Sequence, residues 1–192
     1  MPLHAIGFYG KVPSRGDFVG IGLPTGFVRA WDEWVQRGFV ASRAILGERW
    51  LPAWLQAPVW RFALHPGACG PDAALGLWMP SVDRVGRHFP LVFAACASSL
   101  TCCPAAFLGV AEQVGRTALA DDLGPEAVLA GLSAQAPSLE AEVLPRLPAS
   151  GALWWTEGSP LCSKQAMLIP GLPDPARFAA MLDGAAAPAV VS

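Results

Sequence analysis

Two short polar stretches, Gly10-Lys11-Val12-Pro13-Ser14-Arg15-Gly16-Asp17-Phe18 and Met79-Pro80-Ser81-Val82-Asp83-Arg84-Val85-Gly86-Arg87-His88-Phe89-Pro90, concentrate charge in a chain of 192 residues that is only 15% charged and 53% hydrophobic. Lys11, Arg15, Arg61, Arg84 and Arg87 lie in or beside them, with Asp17 and Asp83 as acidic partners. A guanidinium fork holds phosphate or carboxylate through two parallel hydrogen bonds. Converging loops of this composition therefore form a cationic pocket suited to a phosphopeptide, a nucleotide or an acidic loop. The same residues also fit an internal network in which Asp83 pairs with Arg15 or Arg61 and pins the loops together, since buried charge is as a rule paired. The sequence leaves both readings open.

Ser81, Asp83 and His88 are the residue types of a nucleophile, an orienting acid and a base. They crowd into one loop, and Ser81 follows a proline instead of sitting on a G-x-S-x-G elbow, so no catalytic residue is expected. His4, His65 and His88 are isolated and lack an H-E-x-x-H partner, which argues for structural histidines and against a metal site. Cys69, Cys96, Cys102, Cys103 and Cys162 are odd in number and contain no C-x-x-C pair, so they read as small apolar filler in a reducing compartment. Gly20-Ile21-Gly22 and Gly67-Ala68-Cys69-Gly70 complete neither G-x-x-x-x-G-K-[ST] nor G-x-G-x-x-G, and Glu140 with Glu142 form no acid/base pair. No cofactor is expected.

Strands must position the two motifs. Leu3 to Tyr9 reads as a strand closed by Gly10, which puts the first motif at a strand end. Val59 to Leu64, Ala73 to Pro80 and Phe89 to Ala97 read as three more, with the second motif connecting the last two; Gly151 to Thr156 and Gln165 to Ile169 form a final pair. Pro24 at a helix N1 position opens a run with Phe27, Trp31, Trp34, Val35 and Phe39 on one face, ending near Gly47. Shorter helices follow at Trp50 to Leu55, Pro104 to Leu119, Gly124 to Leu132 and after a capping Asp174. Blocks of strands and helices predict an α+β fold: a mainly antiparallel sheet of about five to six strands with helices packed against it, in a single domain over residues 1–184 with a frayed tail at 185–192.

A net charge of -2 and a pI near 5.9 give no basic field for nucleic acid. The mean hydropathy of +0.40 points to a large core, with Trp31, Trp34 and Trp60 among eight tryptophans that are either core or aromatic anchors for a partner. Phe89 to Ala111 carries no charge and is nominally long enough to cross a bilayer, but Pro90, Ser98, Ser99, Thr101 and Pro104 break it into a strand, a turn and a helix. No membrane insertion is expected, and a start without a secretory signal predicts a cytoplasmic protein.

The string Gly7-Phe8-Tyr9-Gly10-Lys11-Val12-Pro13-Ser14-Arg15-Gly16-Asp17-Phe18, then Trp31-Asp32-x-Trp34, Pro58-Val59-Trp60-Arg61-Phe62 and Met79-Pro80-Ser81-Val82-Asp83-Arg84-Val85-Gly86-Arg87-x-Phe89-Pro90, closely resembles the TagF family, also called ImpM, associated with type VI secretion. The likeness is strong over the first hundred residues and looser beyond Thr101. It implies a cytoplasmic accessory protein that acts after translation to restrain assembly or firing of the secretion apparatus, linked to the forkhead-associated scaffold and to the threonine kinase and phosphatase branch of its control. It brings no enzymatic residue set.

The expected function is accordingly noncatalytic. The chain holds a secretion-system protein through the motif face, with tryptophans as anchors and arginines for orientation. A phosphate- or nucleotide-binding sensor or enzyme using the Lys/Arg cluster is the alternative. In a third reading the motifs are purely architectural and the second half of the chain makes the contact.

Overall fold

The computed structural model describes residues 5–99, 105–135 and 150–186. Seven strands among them form one sheet: β1 (Ala5–Gly10), β2 (Val19–Ile21), β3 (Trp60–Leu64), β4 (Ala73–Met79), β5 (Leu91–Ala97), β6 (Ala152–Thr156) and β7 (Gln165–Ile169). Their order is β2-β1-β5-β4-β3-β6-β7, and every neighbouring pair is antiparallel. This is the expected α+β fold with one strand more than foreseen. The addition is β2, whose three residues are too few to show an alternating pattern.

Strand alternation sends side chains to two cores. Trp60, Phe62 and Leu64 of β3, Trp78 of β4, Val92 of β5 and Trp154 of β6 enter one; Ala63, Leu75, Leu77, Phe93 and Ala95 enter the other. β4 and β5 are buried along their whole length because both faces are covered. On the first face lie α1 (Thr25–Leu46), α2 (Trp50–Leu55) and α5 (Pro175–Leu182); on the second lie α3 (Ala105–Ala120) and α4 (Pro125–Gln135).

The helices begin and end for local reasons. Pro24 stands just ahead of α1 in an extended conformation, one residue before the expected N1 position. Asp174 caps α5 through a 2.8 Å bond from the Ala176 N–H. Gly38 lets α1 approach α5 closely: a Cβ there would lie 2.6 Å from the Phe178 ring.

The tryptophans are interior. Trp31, Trp34 and Trp60 are 0%, 1% and 0% exposed, which corrects their reading as surface anchors. The Trp34 indole donates to the Pro173 carbonyl at 2.8 Å and Trp60 to Met181 at 2.9 Å, so both tie the sheet and α1 to the C-terminal helix region. Asp32, between Trp31 and Trp34, accepts from the Tyr9 hydroxyl at 3.0 Å and so fastens α1 to β1.

The apolar segment after Phe89 becomes β5 and α3, and no helix among the described residues is long and apolar enough to cross a membrane. Of the residues expected to fray, Ala185 and Ala186 belong to a 3-10 turn over Gly184–Ala186. Residues 187–192, His4, Cys102, Cys103, Glu140 and Glu142 lie outside the described residues.

Candidate functional site

β1 and β5 run antiparallel, so the loop that leaves β1 and the loop that enters β5 emerge at the same end of the sheet. Their approach is tight: a Cβ on Gly10, at φ 143°, would collide with the Pro90 carbonyl. The two motifs therefore meet, and Asp83 is their hub. Its Oδ2 accepts from Lys11 Nζ at 2.6 Å and Arg87 Nε at 2.7 Å; its Oδ1 accepts from the backbone N–H of Val85 at 3.0 Å and of Arg87 at 2.8 Å. The Lys11 and Asp83 side chains are 6% and 0% exposed. Burial alone would raise the Asp83 pKa, but the bonds from Lys11, Arg87 and Val85 outweigh it and hold the carboxyl well below the usual carboxylate range.

Three further ties cross between the loops. The Ser81 hydroxyl donates to the Lys11 carbonyl at 2.6 Å, Arg84 N–H donates to the Arg15 carbonyl at 3.0 Å, and the Arg87 guanidinium donates to the Gly16 carbonyl. Gly86, at φ +84°, closes the turn that returns Arg87 to Asp83. Each polar position of Ser81-Val82-Asp83-Arg84-Val85-Gly86-Arg87 except the Arg84 side chain is thereby engaged inside the molecule.

Asp83 pairs with Lys11 and Arg87, not with Arg15 or Arg61 as the network reading had it. Arg61 projects from β3 toward α3 and bridges to Glu112, which also holds Arg116 at 2.7 Å, so it leaves the cluster. Asp17 is exposed and reaches Arg87 only at 4.0 Å. Arg15 and Arg84 are exposed and make no side-chain ion pair among the described residues. They border a polar hollow of about 400 Å3, together with Ser14, Asp17 and Phe18. Phe18 stacks on Tyr9 with centroids 5.6 Å apart yet stays 45% exposed.

Ser81, Asp83 and His88 make no hydrogen bond to one another among the described residues. Ser81 is buried and donates to a carbonyl, and the Asp83 oxygens face cations and amides. His88 packs against Trp50 and Trp54 with its Nδ1 buried and unpartnered; burial, with help from Arg43, lowers its pKa against the opposing effect of Asp83. Among the described residues no group of three His, Cys, Asp or Glu side chains could hold a metal ion.

Sequence reasoning missed one surface feature. The far end of the second sheet face carries an apolar hollow of about 340 Å3, lined by Leu153, Trp155, Gln165 and Ala166 and flanked by the Glu157–Lys164 ion pair at 2.6 Å. Its signal was the adjacent pair Trp154-Trp155, which strand alternation must send to opposite faces, only one of them roofed by α1 and α5.

An antiparallel sheet covered by helices on both faces, with a cross-linked cationic loop pair at one end, defines an α+β domain. Residues 7–138 match the TagF N-terminal domain, type VI secretion system-associated, and the chain belongs to that family. Its fold is similar to the crystal structure of PA0076 from Pseudomonas aeruginosa PAO1, with a TM-score of 0.80 and 33% identity over 93% of this chain and 94% of that one. No curated protein sequence matches the chain significantly.

Proposed function

We propose that the chain is a noncatalytic regulator of type VI secretion, acting in the cytoplasm after translation to restrain assembly or firing of the apparatus by holding one of its proteins. The forkhead-associated scaffold is the partner that the family suggests first. Residues 1–184 would act as one unit. The observation that carries this reading is the division of labour in the motif loops: Lys11, Asp83 and Arg87 lock them, while Arg15 and Arg84 stay outside, charged and uncompensated. Rigid loops presenting exposed arginines favour recognition, because little conformational freedom is lost on docking.

The alternative, a phosphate sensor or enzyme built on all five cations, is weakened by the same geometry. Lys11 and Arg87 are engaged by Asp83, and Arg61 by Glu112. The test is affinity capture from cells carrying the secretion cluster, with mass spectrometry of the captured proteins. Wild type should retain a secretion-system protein and a folded Arg84→Glu variant should lose most of it; equal capture by both would refute this surface.

A further inference from the structure

We propose that the hollow between Arg15 and Arg84 seats a carboxylate-bearing, acidic stretch of the partner polypeptide. The inference rests on the reading above and specifies its chemistry. Within the two loops four cations, Lys11, Arg15, Arg84 and Arg87, face two carboxylates, Asp17 and Asp83. Lys11 and Arg87 share the one Asp83 carboxylate, and Arg15 and Arg84 bring two positive charges to the hollow against the single Asp17 at its rim. Both residues are exposed and line the same hollow, and the bond from Arg84 N–H to the Arg15 carbonyl holds their backbones side by side. An anionic side chain entering there gains charge-assisted hydrogen bonds without displacing an internal one.

A carboxylate fits better than a phosphate. Compact phosphate sites gather several free backbone N–H groups into a nest. Here two of the lining residues, Arg15 and Arg84, have their N–H groups engaged internally, by the Val12 and Arg15 carbonyls. The Ser14 hydroxyl is likewise engaged, donating to the Leu123 carbonyl at 2.8 Å. Asp17 at the rim repels a dianion more strongly than a monoanion. Phe18, half open beside the hollow, offers an apolar wall to an aliphatic residue between the acids.

Fluorescence anisotropy with the full chain tests this, using a labelled peptide of glutamates around a central leucine, its glutamine counterpart, and a version with phosphothreonine in place of one glutamate. The glutamate peptide should bind, lose affinity with added salt, and weaken about tenfold or more in the Arg15→Ser/Arg84→Ser variant. The glutamine peptide should not bind. Arg29→Ser/Arg37→Ser, which removes the same charge from exposed positions of α1, should change affinity little. No binding of the glutamate peptide, an equal loss in both double variants, or clearly tighter binding of the phosphothreonine peptide would each overturn the proposal. If peptide binding fails while wild type still captures a secretion-system protein, the acidic seat is wrong and the binding function stands; if the peptide binds but nothing of the secretion system is captured, the failure lies with that function.

Discussion

The aromatic layer under α1 and α5 and the loop pair at the end of β1 and β5 are both dense in residues that mark contact surfaces, yet they differ in what they leave outside. Trp31, Trp34, Trp60, Trp78 and Trp154 are wholly interior, with indole N–H groups of Trp34, Trp60 and Trp154 satisfied by backbone carbonyls of the C-terminal region. The loops bury only two of their six charged side chains. Asp83 and Lys11 are inside, whereas Arg15 and Arg84 face water. Residue type alone does not separate an anchor from a core element; burial does. Trp31 and Trp78 keep unpartnered indole N–H groups and still belong wholly to the core, whereas Arg15 and Arg84 are exposed and make no ion pair among the described residues.

That contrast can be broken from either side. Trp154→Ala should be the most damaging change, costing about 3–5 kcal/mol and lowering the melting temperature sharply, because a wholly buried indole leaves a cavity. Asp83→Asn should come next. Its amide must set an N–H group against donors that the carboxylate now accepts, and both Lys11 and Arg87 lose their counter-charge. Since the Asp83 pKa is depressed by folding, its contribution is fully present above the ordinary carboxylate pKa and disappears as pH falls through the lower folded value. The stability gap between wild type and Asp83→Asn should therefore be constant near neutrality and narrow progressively below about pH 4, as read by denaturant titrations along a pH series.

Smaller effects sharpen the division. Gly38→Ala would stabilise an isolated helix by about 1 kcal/mol. In this chain it should destabilise by about 1–3 kcal/mol, since the new methyl meets the Phe178 ring and the α1/α5 contact must give. Arg15→Ser/Arg84→Ser should leave the melting temperature within the effect of an ordinary surface change, about 0.5 kcal/mol, while abolishing partner capture. A large loss of stability in that variant would place the two arginines with the framework and dissolve the distinction.

Much of this architecture was readable from local pattern. Alternation in Val59 to Leu64, the one-face spacing of Phe27, Trp31, Trp34 and Val35, and the Asp174-Pro175 start all produced elements at the expected places. β2 was not readable, because three residues with a glycine at their centre and another just behind them carry no period. Strand order was also hidden: it joins β1 to β5 and β3 to β6 across long stretches of sequence. Which of the charged motif residues bond to one another was not legible, nor was the departure of Arg61 from the cluster. That Asp83 chooses Lys11 over Arg61 depends on where in the sheet each lies: Arg61 sits directly opposite Trp155, on the face where α3 brings Glu112.

Hydrogen–deuterium exchange of the chain alone and with its captured secretion-system partner tests the central claim most directly. The account predicts added protection concentrated in residues 10–18 and 81–90, lost together with capture in Arg15→Ser/Arg84→Ser. Protection confined to the β6–β7 end around Trp155, with the motif loops exchanging as before, would contradict it.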